Sequence, residues 1–187
     1  MKTQGDLLHG RQDRISNRDL NTLKEYINGG YLVISISGDM KKKTIVLTSG
    51  AFDIIHPGHI KMLWEAKKRG GRKSKLVVVL ARDNTIIKRK NRKPLFDEKS
   101  RQLIVSNLKP VDEVILGYRK FSFEKIIKKV KPDIVVFGYD QTEIMREFEK
   151  FIKDKNLDIK VYKAKRYRFG SINSTTDVIE KLKEMLS

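Results

Sequence analysis

Residues 50–59 read Gly-Ala-Phe-Asp-Ile-Ile-His-Pro-Gly-His, and the patterns on either side of them decide the fold class. Residues 44–49, just before them, form a short apolar and β-branched run that predicts a buried strand. Residues 58–69, just after them, carry apolar side chains at helical spacing. Pro57 suits the first turn of a helix, and the glycines allow a ligand to come close to the backbone. We therefore predict a turn between a strand and a helix.

His56 and His59 lie three residues apart at the start of that predicted helix. The first N–H groups of a helix have no partners within it, and together with the helix dipole they favour an anion. A lone histidine in such a turn is more often structural, but two imidazoles beside these N–H groups favour a site for phosphate chemistry. Zinc binding is a weaker interpretation, because the chain has no cysteine and the turn has no His-Glu-x-x-His pattern.

Apolar segments and helical patterns alternate from residue 44 to the C-terminus. This alternation predicts an α/β fold with a Rossmann-like, doubly wound, parallel five-stranded sheet and helices on both faces. The predicted strands are 44–49, 75–81, 111–116, 134–137 and 158–162. The predicted helices are 58–69, 121–130 and 142–155. Two more helices are predicted, one that is capped by Asp97 and ends near Leu108, and one that begins near Ser174. Ligands of such folds bind at the carboxyl ends of the strands.

Residues 1–43 are predicted to be an N-terminal extension, separate from the main domain of residues 44–187. A helix is expected over 18–28 and a strand over 31–37, followed by a charged connector. The extension either adds an edge to the main sheet or mediates self-association, so a homodimer is one expectation. The sequence assigns it no function.

Composition limits the class of protein. Lys and Arg number 41 against 23 Asp and Glu, which gives a net charge of +18. Most of this charge is expected to be solvated surface, and the part near the histidines would attract a nucleoside triphosphate and a phosphorylated acceptor; a nucleic-acid-binding module is the alternative that is not an enzyme. The chain has no membrane-spanning apolar run, no apolar core of a signal peptide and no cysteine, so a cytoplasmic protein is expected.

The pattern Gly-x-Phe-Asp-x-x-His-x-Gly-His at residues 50–59 resembles the signature of the cytidylyltransferase-like nucleotidyltransferases. The similarity runs from about Thr44 to the C-terminus, so residues 44–187 would be a nucleotidyltransferase domain. The resemblance implies that an acceptor phosphate attacks the α-phosphorus of a nucleoside triphosphate in line, that pyrophosphate leaves, and that Mg²⁺ bridges the phosphates. It implies His56, His59 and Lys88 as catalytic residues.

Three segments that follow predicted strands are expected to bind the nucleotide. The residues are Ser49, Gly50, Ala51, Phe52 and Gly58 in the first segment, Gly138 and Asp140 in the second, and Ser174, Thr175 and Thr176 in the third. Asp140 would hydrogen-bond ribose or base, or instead cap the next helix. Residues 171–176 resemble the Gly-Ile-Ser-Thr-Thr element whose hydroxyls hold the β- and γ-phosphates, although Asn173 intervenes; a plain helix cap is the alternative.

The basic segment 88–94 is expected to be a flexible loop whose charges are either solvated or directed at the triphosphate. Lys88 is the first candidate for that contact and Lys93 the second. Asp53, Lys93 and Arg101 are the expected contacts of the acceptor, with Arg101 on the polar face of its helix.

Residues 97–102, 108–117 and 138–141 together resemble the archaeal FAD synthetases, which transfer AMP from ATP to FMN. This resemblance implies ATP and FMN as substrates, with Tyr139, Tyr167 and Phe169 as neighbours of the flavin ring. A CTP:glycerol-3-phosphate cytidylyltransferase shares the motifs at both ends and is the alternative. A sugar-phosphate transferase comes third.

Overall fold

The computed structural model describes residues 27–28, 31–32, 43–167, 170, 172 and 174–187 of the chain. The chain divides into two compact units, Met1–Lys42 and Lys43–Ser187. In the first unit, the strands β1 (Ile27–Asn28) and β2 (Tyr31–Leu32) pair antiparallel. The helix predicted over 18–28 is therefore wrong for its last two residues. The rest of that helix, and the predicted strand beyond Leu32, lie outside the described residues.

The second unit is built on a parallel sheet. Its strands are β3 (Ile45–Gly50), β4 (Lys75–Leu80), β5 (Glu113–Leu116), β6 (Ile134–Phe137) and β7 (Lys160–Lys163). They lie in the order β5-β4-β3-β6-β7, as a five-stranded sheet. The predicted strands are confirmed, with small shifts at their ends. Because the strand order reverses between β3 and β6, the crevice of the sheet opens where residues 50–59 begin.

The described helices of this unit are α1 (Pro57–Arg69), α2 (Asp83–Lys90), α3 (Glu98–Ser106), α4 (Phe123–Val130), α5 (Thr142–Asp154) and α6 (Thr175–Leu186). The predicted cap of α3 is confirmed, since the Asp97 side chain accepts a hydrogen bond from Ser100 N at 2.7 Å. None of the helices within the described ranges has the length and apolar character that a membrane crossing needs.

Helix α2 corrects the expectation of a flexible loop after the second strand of the main domain. Its run of basic residues hid the helix, because Ile86 is its only buried side chain. The helix ends at Asn91, whose φ of 49° lies in the left-handed region and stops the helix. Lys88 therefore lies in the last turn of a helix.

Helices cover both faces of the sheet, which confirms the doubly wound architecture. Side chains alternate between the faces of a strand. Val46 and Val78 pack with Leu63 and Ala66 of α1 on one face. On the other face, Leu47, Val77 and Val135 pack with Phe148 of α5, and α4 contributes Ile126 and Ile127. Both faces are buried, so β4 and β6 are apolar along almost their whole length.

Candidate active site

A cavity of about 330 Å³ lies where the strands β3, β4, β5 and β6 end. The end of β3 contributes Ser49 and Gly50 to its wall, the segment after β3 contributes Ala51, Phe52 and Asp53, and α1 contributes His59. Gly138 and Asp140 follow β6, and Thr175 begins α6. Nine of the residues predicted for binding or catalysis thus meet at one cavity. Their roles in binding and catalysis stay predictions, which activity measurements test.

Gly50 is required by the close approach of Phe52. A Cβ atom at position 50 would lie 2.7 Å from a ring carbon of Phe52, which is too short for any real contact. The Phe52 ring is buried, its φ is 46°, and its centroid lies 5.1 Å from that of His59. The turn thus places the Phe52 ring close to Gly50, at the end of β3, and against the ring of His59.

His56 and His59 lie against each other, with ring centroids 3.9 Å apart. Their Nδ1 atoms are buried and find no hydrogen-bond partner among the described residues. Burial, the neighbouring His56 and the charge of Lys90 lower the pKa of His59 to about 3. Burial also lowers the pKa of His56, against the opposing charges of Asp177 and Asp140. Both imidazoles are therefore neutral at pH 7, and each then has one N–H donor.

His56 occupies the N-cap position of α1, with Pro57 as the first helical residue. No side-chain cap is formed there, and the His56 carbonyl accepts from His59 N at 3.0 Å. Gly58 lies in the first helical turn. His56 and Gly58 are not on the cavity wall, but they shape the helix start that presents His59 to it. An uncapped helix start of this kind can hold an anion.

Asp53 is buried, at 3% exposure, although it contributes to the cavity wall. Its Oδ1 accepts from Leu95 N at 2.7 Å, and its Oδ2 accepts from Arg92 Nη1 at 2.9 Å. These bonds fasten the segment after α2 to the turn. The geometry thus gives Asp53 a positioning role, and contact with an acceptor stays a prediction.

Arg101 does not lie on a polar face, because its exposure is 0%. Its guanidinium donates to the carbonyls of Phe96, Ala51 and Ala81 and to Asp83 Oδ1. The ends of β3 and β4 leave carbonyl groups that need buried donors, and Arg101 supplies them. This placement argues against the predicted contact with the acceptor, since the side chain has no surface in the cavity.

The cationic side chains of the cavity differ from those predicted. Lys88 and Lys93 are exposed and are not on its wall, whereas Arg89 and Lys90 are. Lys88 lies on a helix that the sequence did not reveal, and the roles predicted for Lys88 and Lys93 stay predictions. The charge of Lys90 also reaches His59, where it contributes to the lowered pKa.

Helix α6 begins with a capping box. Ser174 Oγ accepts from Asp177 N at 3.1 Å, and Asp177 Oδ2 accepts from Ser174 N at 2.9 Å. The interpretation of Ser174 as a helix cap is therefore the one that the geometry favours. Thr175 lines the cavity, whereas Ser174 and Thr176 do not.

Asp140 and Gln141 end the segment after β6. The N-cap of α5 is Gln141 and not Asp140, so the capping alternative for Asp140 is wrong. Gln141 was not predicted. Its Oε1 accepts from Gly138 N at 2.7 Å and its Nε2 donates to Ser49 O at 3.2 Å, so it joins the ends of β6 and β3.

The aromatic wall of the cavity also differs from the prediction. Tyr167 donates a hydrogen bond to Glu65 Oε2 at 3.0 Å, and Arg166 lies over the Tyr139 ring at 5.3 Å. Neither tyrosine lines the cavity, and Phe169 lies outside the described residues. Tyr118 and Phe121 line it instead. The sequence did hold a signal, because Gly117-Tyr118 follows β5 as Gly138-Tyr139 follows β6.

The chain is similar to known proteins over most of the second unit. A family model described as cytidylyltransferase-like matches residues 47–181. A FAD synthase of Methanothermus fervidus is 47% identical over 139 residues, which are 74% of this chain and 94% of the relative. A FAD synthase of Methanothermobacter marburgensis is 44% identical over 140 residues, which are 75% of this chain and 86% of the relative.

Solved structures are similar as well. The crystal structure of a protein described as a lipopolysaccharide core biosynthesis protein, from Thermoplasma volcanium, matches with a TM-score of 0.61 and 39% identity. The match covers 68% of this chain and 100% of that chain. A protein from Archaeoglobus fulgidus of unknown function is 17% identical with a TM-score of 0.53, which is a likeness of fold alone.

Proposed function

The chain belongs to the cytidylyltransferase-like family, and from this membership we propose that it is an FMN adenylyltransferase that transfers AMP from ATP to FMN and releases pyrophosphate. The observation that carries the substrate assignment is the identity of 38–47% to FAD synthases over most of their length. That similarity extends well beyond the short motifs that bind a triphosphate.

The chemistry of this reaction fits the cavity. The FMN phosphate is already an anion, so it attacks the α-phosphorus of ATP without a general base. A bond forms between a phosphate oxygen of FMN and the α-phosphorus, and the bond from that phosphorus to the bridging oxygen of pyrophosphate breaks. The protein then has to bring anions together and stabilise the charge that grows on the phosphoryl oxygens.

In this proposal, His59 donates an imidazole N–H to an oxygen of the α-phosphate. His59 is neutral in the free protein and takes up a proton more readily when an anion binds, because a bound anion raises the pKa of a neighbouring imidazole. The uncapped start of α1 adds its dipole, and Arg89 and Lys90 add positive charge at the cavity wall. Thr175, the first residue of α6, offers a hydroxyl at the same cavity.

We assign Mg²⁺ as the divalent cation, held mainly by the phosphates of ATP. The described residues contain no group of three or more metal-ligating side chains, which does not fit a cation held by protein alone. Mg²⁺ commonly binds through one carboxylate together with substrate phosphates and water. Asp140 is the exposed carboxylate of the described wall that would serve, and the cation would offset phosphate charge.

Two further assignments belong to the proposal. We also propose a cytoplasmic location, as the sequence leads us to expect. Residues 1–43 remain a proposed extension that either adds an edge to the main sheet or mediates self-association, and light scattering of the full chain against a chain that begins at Thr44 tests the second role.

The proposed function is tested by mixing the full chain with Mg²⁺, ATP and FMN and separating the flavins by chromatography. We expect FAD and pyrophosphate in equal amounts, and little product from CTP with glycerol-3-phosphate. Production of CDP-glycerol without FAD would overturn the assignment and favour the cytidylyltransferase alternative. Binding of duplex DNA without nucleotide turnover would favour the nucleic-acid alternative.

A further inference from the structure

The cavity has two chemically different parts. His59, Asp140 and Thr175 give one part polar groups suited to phosphates and ribose. The other part is formed by Val79, Ile126 and Ile144, together with Phe121. A nucleoside triphosphate needs polar partners along most of its length. The apolar part therefore offers no hydrogen-bond partners to the phosphates and is available to a flat, apolar group.

The apolar part continues into the molecule. A smaller cavity of about 60 Å³ shares Ser49, Val79, Phe121, Ser122, Ile126 and Ile144 with the larger one. Its further wall includes Phe137 and Phe148, which are buried in the core between the sheet and α5. Phe121 thus stands between the open cavity and an apolar space behind it.

Phe121 is unusually exposed for a ring in this position. Its exposure is 52%, and that of Tyr118 is 38%. The Phe121 ring is supported by an edge-to-face contact with Phe123 at 4.7 Å, and Arg89 Cζ lies 5.7 Å from its centroid. Exposed apolar rings at a cavity wall are favourable places for a flat ligand, because covering them removes apolar area from water.

The position of this wall separates it from the histidine turn. Helix α1, which follows the turn, packs on one face of the sheet. Helices α4 and α5, which carry Ile126 and Ile144, pack on the other face. A ligand on the apolar wall therefore lies on the face of the sheet opposite α1.

We propose that Phe121 and Tyr118 form the binding site for the isoalloxazine ring of the acceptor, with Ile126 and Ile144 beneath its apolar end and Arg89 beside its carbonyl groups. This inference rests on the proposed function, because it assumes that the acceptor is a flavin. The flat ring has an apolar end and a polar end, which matches an aliphatic wall next to a guanidinium group. Phe121 is thus a residue that determines specificity for the acceptor.

The test measures FMN binding directly. Flavin fluorescence is quenched when the ring stacks on an aromatic side chain, so FMN is titrated with the full chain in the absence of ATP. Phe121→Leu keeps apolar bulk and removes the ring, and Phe121→Ala removes both. Phe96→Ala is the matched control, because Phe96 is also an exposed phenylalanine, at 41%, but is not on the cavity wall.

We expect the FMN dissociation constant to rise about tenfold in Phe121→Ala and less in Phe121→Leu, with KM for FMN rising in parallel. KM for ATP should stay unchanged, and Phe96→Ala should behave as the wild type. Circular dichroism checks that the variants fold.

Three results would overturn the ring site: no quenching of FMN by the wild type, unchanged FMN binding in both Phe121 variants, or a rise in KM for ATP alone, which would place the adenine there. The proposed function fails separately. A wild-type chain that quenches FMN in a way that depends on Phe121, yet makes no FAD, would keep the ring site and refute the reaction.

Discussion

Among the helices that begin at the cavity, α1 and α6 have first turns that are built in opposite ways. Helix α6 has a complete capping box, in which Ser174 and Asp177 satisfy each other's backbone N–H groups. Helix α1 begins at His56 without a side-chain cap. Beside it, the Nδ1 atoms of His56 and His59 are buried with no partner among the described residues.

Between these two helices, the difference favours the start of α1 as the binding site of the reacting phosphate, because the buried imidazole nitrogens beside it lack partners among the described residues. A buried polar group without a partner costs free energy, about 1–3 kcal/mol, unless a ligand satisfies it. The capping box of α6 engages Asp177 N and Ser174 N with partners inside the protein. At the start of α1 no side chain forms a cap, and the Nδ1 atoms of His56 and His59 have no partner among the described residues, so these imidazoles are available to an anion. We infer that α1 carries the chemistry, whereas α6 shapes the wall and adds Thr175.

The largest expected effect is that of removing a donor from the α1 side. His59→Ala should lower kcat by about a hundred- to a thousand-fold, because one preorganised donor to a developing oxyanion is lost. The initial rate of FAD formation measures this. His9→Ala, which removes the chain's remaining histidine, is the control and should leave the rate unchanged. A His59→Ala enzyme within a few-fold of the wild type would break the distinction between the two helices.

A smaller effect is expected on the α6 side, and of another kind. Ser174→Ala should lower the free energy of unfolding by about 1 kcal/mol, because the capping box is lost. For a chain of this size the melting temperature should then fall by about 2–4 °C. The rate of FAD formation should change only slightly. If Ser174→Ala instead abolishes turnover with an unchanged melting temperature, its hydroxyl binds phosphate and the comparison fails.

The sequence predicted the sheet and its helices well, because both faces of the parallel strands are buried and leave a clear apolar signal. It could not separate the two helix starts. Ser174 and His56 both precede helical patterns. The sequence does not show whether the Ser174 hydroxyl is hydrogen-bonded to Asp177 or free to bind a ligand. Only the geometry of the first turn distinguishes a satisfied N-terminus from an open one.

Arg101 and the tyrosines that follow β5 and β6 show where patterns in the sequence fail. Arg101 sits in a charged segment that favours a solvated face, yet it is fully buried because the ends of β3 and β4 present carbonyls to it. Tyr118 and Tyr139 each follow a glycine after a strand, and only Tyr118 lines the cavity. The local sequence is alike at the two positions, so it could not indicate which tyrosine lines the cavity.

The most direct test of the central claim, that the start of α1 binds the reacting phosphate, is an NMR titration of the histidines. The chain has three, so the imidazole signals can be assigned with single His→Ala variants. In the free protein, His59 should stay neutral from pH 7 down to a pKa of about 3, because burial opposes its charge. Added ATP and Mg²⁺ should shift the His59 signal and raise its pKa, since a bound anion favours the protonated form. A His59 signal that titrates near its ordinary value of 6.5 without ligand, and that does not move when ATP is added, would contradict the account.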